Sequence, residues 1–131
     1  MIILDHHKTA LENLSDTPTG ENVIKVLDME RSGATIAFDY FKEKLNKFKI
    51  NPGKKVVVDC EFDRLRPLFE YIEDGDLWRW RLPNSKAFNN GLKDLGFEYD
   101  VRLNPSLYQQ VINWWDLVFI SISSFCFCLV R

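Results

Sequence analysis

The chain is poor in histidine, in cysteine, in basic excess and in long uncharged runs, and each shortage removes a class of protein. Three cysteines, Cys60, Cys126 and Cys128, are odd in number, and two of them lie two residues apart. That pattern builds no disulfide framework. It favours a reducing compartment, and the chain is expected in the cytoplasm. No paired-cysteine or His-x-x-x-His zinc spacing occurs. Lysine and arginine total 17 against 19 acidic residues, for a net charge of −2 and a pI near 5.7. A non-specific binder of long nucleic acid normally carries a basic excess, so none is expected as a partner. A small anionic substrate remains compatible, because a bound cation reverses the local sign of a site. No basic segment followed by an apolar one opens the chain, and a carboxylate stands already at Asp5, so neither a secretory signal nor a transit peptide is expected. There are no repeats and no low-complexity runs.

What is present is a good supply of core formers. Apolar residues make up 46% of the 131, with ten Phe and four Trp that need burial, so disorder is disfavoured. The length fits one small domain or part of a larger one. Met1–Leu4 reads as a short buried strand and Val23–Leu27 as a second. "TALENL" offers one helical turn between them. After Ser32 as N-cap and Gly33 as a tight entry, Ala34, Ala37, Phe38, Phe41, Leu45 and Phe48 recur at helical spacing. Lys42, Lys44 and Lys47 crowd that helix's end, as its dipole favours. "KKVVVDCEFDRLRP" is ambiguous between strand and helix; from Leu65 the pattern is helical, with Pro67 in the first turn and "EDGD" as the stop. Ser85–Leu95 reads as a further helix with Gly96 as a left-handed cap. "FEYDVRL" reads as a strand, and Asn104-Pro105 opens a last helix. Strand, strand, helix and later mixed elements predict an α/β fold with a short parallel sheet flanked by helices.

The composition changes sharply after residue 110. The 14 residues Leu117–Val130 carry no charged side chain, too few for a membrane span of about 20 apolar residues. The tail 111–131 is open to three readings: a buried strand or helix, a weak membrane anchor, or a stretch unrelated to residues 1–110. A membrane partner is not expected.

Both histidines, His6 and His7, stand side by side after Asp5, at the end of the first strand. In α/β sheets, ligands bind beyond the carboxyl ends of strands. Adjacent side chains in a strand point to opposite faces, so His6 and His7 can serve one site only where the strand has ended. A carboxylate with two neutral imidazoles suits Mn²⁺, Fe²⁺ or Zn²⁺, and a mixed O/N set with room for water favours Mn²⁺. The plainer alternative is a capping Asp followed by two solvent-facing histidines. A second carboxylate cluster, Glu73, Asp74 and Asp76, could complete a metal site or be a solvated turn.

"ILDHHKTA", "ERSGATIAFDYF" and "YIEDGDLWRWRLPNSKAFNNGL" resemble successive motifs of the DHH phosphoesterase superfamily, in its oligoribonuclease or cyclic-nucleotide phosphodiesterase-like branch, over roughly residues 1–110. The resemblance implies a partial Rossmann-like DHH domain and a hydrolase using Mn²⁺, with Mg²⁺ as the alternative, that cleaves phosphodiester bonds in a small nucleotide or short oligonucleotide. It implies Asp5, His6 and His7 as catalytic metal ligands, with His7 also able to contact phosphate. One carboxylate of the acidic turn would join them, Asp74 in preference to Asp76, the latter then orienting its neighbours. Arg79, Arg81 and Lys86 would neutralise substrate phosphate or simply form a charged face. Ser32 and Gly33 would offer N–H groups to an anion or only cap their helix. Trp78 and Trp80 would stack on a base or pack in the core. Relatives of this kind carry further Asp-bearing strand ends before the DHH motif and a substrate domain after it. None of these is reproduced in the 131 residues, so the expectation is a truncated enzyme, with an inactive product or a protein-interaction module as the alternative.

Overall fold

A computed structural model describes the backbone of residues 1–48 and 52–128 and the side chains of 1–48 and 59–118. Among these residues the fold is α/β: a two-stranded parallel sheet flanked by helices, with five helices in all. The described residues divide into two compact units, Met1–Asn89 and Asn90–Arg131.

The first unit begins with β1 (Ile2–Asp5), α1 (Lys8–Leu14), β2 (Ile24–Leu27) and α2 (Gly33–Lys47). The strands pair in parallel with Ile2 opposite Ile24 and Asp5 opposite Leu27, so both finish at one level. The ladder extends one step further, where the Asp28 N–H donates to the Asp5 carbonyl at 3.1 Å. Both α1 and α2 depart from this carboxyl edge, which places two helix N-termini there. The strands are half-buried rather than buried as expected: Ile2 is 45% exposed. Two strands are too few to shield each other's faces, and α2 is the main element packed on β1.

Ser32 caps α2 as expected, its hydroxyl accepting from the Thr35 N–H at 3.1 Å. Gly33 is the first helical residue and has no left-handed φ. The predicted apolar face is rotated. Thr35, Ile36 and Phe38 are buried, whereas Phe41 and Phe48 are 50% and 65% exposed. The reason is the partner. α3 (Pro52–Asp76) runs antiparallel to α2, and rising numbers in one meet falling numbers in the other. Lys42 reaches Asp63 at 2.7 Å, Arg66 pairs with Asp39, Phe38 stacks on Phe62 and Phe69, and Ser32 meets Glu73. That seam selects the 35/38/39/42 side of α2, not the 34/41/48 side.

The ambiguous "VVV" segment is helical, and Pro67 lies inside α3 rather than in its first turn. A proline there deprives the Asp63 carbonyl of its helical donor, a cost of about 3 kcal/mol. Phe62 before the break and Phe69 after it both pack on Phe38, and Leu68 is buried, so the helix is anchored on both sides. α3 stops at "EDGD" as expected, followed by a connector and α4 (Ser85–Asp94). Gly75 has a reason to be glycine: a Cβ there would overlap the Asn89 amide. That amide donates to the Tyr71 and Ser85 carbonyls at 3.1 and 3.0 Å, tying α4 to the last turn of α3.

In the second unit, Gly96 takes φ +58 and its N–H meets the Lys93 carbonyl, the cap expected of it. "FEYDVRL" forms no strand. The Asp100 carbonyl accepts from Leu103 and Asn104, and its carboxylate accepts from the Arg102 N–H at 2.9 Å, so the segment folds into turns. α5 (Leu107–Cys128) starts just after Asn104-Pro105 and crosses residue 110 without interruption. Among the described residues no helix is long and apolar enough to cross a membrane. Cys60 is free and exposed; the side chains of Cys126 and Cys128 lie outside the described residues.

Candidate functional site

Asp5 is the last residue of β1, and His6 and His7 fill the two-residue step before α1. Because the strand has ended, alternation no longer applies, and the two imidazoles lie on one side with ring centroids 4.3 Å apart. One Asp5 oxygen, Oδ1, accepts three donors: the His6 N–H at 2.7 Å, the His7 N–H at 3.0 Å and the His7 Nδ1 at 2.7 Å. The imidazole contact, with the His7 and His6 N–H groups, lowers the Asp5 pKa to about 2 against the opposing effect of burial. The carboxylate is therefore an anion throughout the neutral range. This bond directs the His7 Nδ1 inward, so a neutral His7 that donates from Nδ1 keeps Nε2 as its lone-pair atom.

Donor atoms of Asp5, His6 and His7 all lie within 4.8 Å of one another. The distant acidic turn comes to the same place. His6 Nε2 stands 3.4 Å from Asp76 Oδ2, a contact spanning seventy positions. The adjoining α2 N-terminus is also close, since a Cβ on Gly33 would sit 3.7 Å from the His6 Cδ2. The group that could hold one divalent cation is Asp5, His6 and His7, two imidazoles and one carboxylate; Asp76 contacts His6 and lies outside that group. Two adjacent cations fit poorly, because Asp5 and Asp76 alone leave their mutual repulsion largely uncompensated.

The carboxylate at His6 is thus Asp76, where Asp74 was expected. Two positions along a helix correspond to about 200° of rotation, so only one of the pair can face the strand end. Asp74 faces the other way and is 5% exposed. Its Oδ1 and Oδ2 accept from the Arg81 and Leu82 N–H groups at 2.9 and 3.2 Å, and its carbonyl takes the Arg79 N–H at 2.9 Å. Burial works to raise its pKa. The neighbouring Ser85 hydroxyl, the two N–H groups and the Arg79 charge outweigh burial and hold it below the usual carboxylate value. The Ser85 hydroxyl does this from beyond strict hydrogen-bond geometry, being buried without a well-aligned partner. Asp74 is a clamp on the 79–82 loop.

Ser32 is fully buried and already engaged. Its N–H donates to Glu73 Oε2 at 3.0 Å and its hydroxyl accepts from Thr35. The same Glu73 oxygen takes the Thr35 hydroxyl. An internal carboxylate therefore fills the anion position at the α2 N-terminus, and of the two readings for Ser32 the structure shows the cap. Nothing local in the sequence marks Glu73 for this role, since its partner lies 41 residues away; its place beside Asp74 and Asp76 is the only signal. Arg79 is also spent internally. Its guanidinium donates to the Glu30 carbonyl at 2.5 Å and lies 3.5 Å from Glu73 Oε1. The Arg81 side chain is exposed. Lys86 holds its ammonium 5.7 Å from the centre of the Trp80 ring. Trp78 is no core residue: it is 78% exposed and meets Trp80 edge to face at 5.6 Å.

Among known proteins, the chain is similar to an uncharacterized protein, R106, of Acanthamoeba polyphaga mimivirus. The two are 29% identical over 112 residues, covering 86% of this chain and 21% of the viral protein. The chain thus spans about a fifth of the length of the curated relative it matches. No protein-family model matches the chain, and no solved structure matches it.

Proposed function

We propose that this chain carries the metal-binding edge of a DHH-type phosphoesterase, a Rossmann-like unit whose substrate is a phosphodiester in a small nucleotide or short oligonucleotide. The observation that carries the reading is the cluster of Asp5, His6 and His7 at the carboxyl ends of two parallel strands, with Asp76 beside His6. That edge is where open α/β sheets take their ligands. Asp5, His6 and His7 would hold Mn²⁺, with Mg²⁺ as the harder alternative, and Asp76 lies within reach of the same place. When bound, the ion supplies Lewis acidity and an activated water for attack on phosphorus. Asp5 contributes a permanent negative charge and fixes the His7 ring. Asp76 can orient His6 or accept its proton. Arg81 and Lys86 are the cations left to face a phosphate.

The direct test is Mn²⁺ titration by calorimetry alongside hydrolysis of bis-p-nitrophenyl phosphate. One Mn²⁺ per chain is expected, with affinity reduced tenfold or more by Asp5→Asn, and hydrolysis should vanish in EDTA. Turnover that survives EDTA, or is unchanged by Asp5→Asn, would overturn the assignment. The second reading, a module that binds another protein, is favoured by one observation. Among the described residues each of the two strands has a single partner, so each leaves an edge open for pairing.

A further inference from the structure

We propose that Trp78 and Trp80, with Lys86, form a subsite for a nucleobase, placed beside the metal-binding edge. Three non-glycine residues in the described chain have positive φ, and all fall in this one loop: Trp78 at 54°, Trp80 at 52° and Asn84 at 58°. Such conformations cost about 1–3 kcal/mol each and persist only where surrounding bonds enforce them. Here the enforcing group is Asp74, whose carbonyl takes the Arg79 and Trp80 N–H groups and whose carboxylate takes those of Arg81 and Leu82.

The result of that enforcement is unusual. A large indole, Trp78, is held 78% exposed, its edge or face set against Trp80. Beside it a depression of about 230 Å³ is lined by Trp80, Leu82, Asn84, Ser85 and Lys86. Within that lining the Ser85 hydroxyl is buried behind the surface and faces the Asp74 carboxylate, so the polar groups presented to a guest are those of Asn84 and Lys86. The volume is below the usual range for a drug-sized ligand and suits a single ring system. The Trp80 ring in the lining, the exposed Trp78 indole against it, an amide from Asn84 and the Lys86 ammonium together match a planar heterocycle with polar edges and an attached anion. A purely apolar guest would leave Lys86 and Asn84 without use. Asp76 is two residues from Trp78, so their Cα atoms are at most about 7.6 Å apart. A base on the indoles would therefore place its phosphate within reach of the edge formed by His6 and Asp76. This inference deepens the phosphoesterase reading but does not depend on turnover, because base binding needs no metal.

The test is calorimetric titration of the full chain in EDTA with adenosine monophosphate, ribose 5-phosphate and inorganic phosphate. Adenosine monophosphate should bind at least tenfold more tightly than ribose 5-phosphate. Trp78→Ala should erase that preference and Trp78→Phe should restore most of it, with the melting temperature unchanged in both. Equal affinity for the two phosphates, or a base preference that survives Trp78→Ala, would overturn the subsite. Base binding without Mn²⁺ uptake would sink the metal assignment and leave the subsite standing.

Discussion

Asp74 and Asp76 are two residues apart and do opposite work. Asp74 spends both oxygens on backbone N–H groups of a strained loop, so Asp74→Asn replaces an anionic acceptor with an amide that must turn one N–H toward a donor. Leaving a buried donor unsatisfied costs about 1–3 kcal/mol, and a lowered urea midpoint is expected. Asp76→Asn should leave that midpoint in place and weaken Mn²⁺ binding, since its carboxylate is half-exposed and faces His6. Asp5 adds a pH dependence. Its folded pKa, about 2, lies below the value of about 3.9 for a free aspartate. The stability it contributes is complete above about pH 4 and is lost as pH falls through 2. Acid titration of the circular dichroism signal should show a smaller loss in Asp5→Asn than in wild type, the remainder coming from Asp74 and the other carboxylates with lowered pKa.

At the scale of elements, much was legible because the signals are local. β1, β2 and the Ser32 cap each depend on a few neighbouring residues, and each appears within a residue of its expected place. The failures all involve partners distant in sequence. Pro67 announces a helix start, but Phe38 and Phe69 carry the helix through it. "FEYDVRL" has strand-like residues and no strand to pair with, so Asp100 turns it back on itself. The Asp-His-His cluster could be read from the strand end alone, whereas the carboxylate that touches His6 needed the turn of α3 to be known. Gly75 lies in that turn, where the Asn89 amide approaches its backbone. Gly75→Ala should overpack against Asn89 and cost about 1–3 kcal/mol, measured as a fall in melting temperature. The double variant with Asn89→Ala should recover part of it, because the overlap is with that amide.

For the molecule as a whole, a net charge of −2 and a two-stranded sheet set its behaviour in solution. Near the pI of about 5.7 little repulsion opposes association. Ile2 and Ile24 pair with each other and are each at least two-fifths exposed. Self-association is expected to peak near that pH and to fall with Ile2→Lys, since lysine on an edge strand discourages further pairing. Sedimentation velocity across pH 5 to 8 would measure it, and an unchanged profile for Ile2→Lys would remove the sheet edge as the cause.

The last turn of α3 deals its carboxylates in three directions: Glu73 to the start of α2, Asp74 to the tryptophan loop and Asp76 to the end of β1. Two remote pieces of chain and the loop that follows α3 are therefore indexed to a single helical turn, as spokes are to a hub. The Glu73 spoke seats this turn on the start of α2. Replacing Glu73, which touches neither imidazole, should consequently blunt metal uptake and base recognition together, and such a dual defect would report a displaced hub and not a lost ligand.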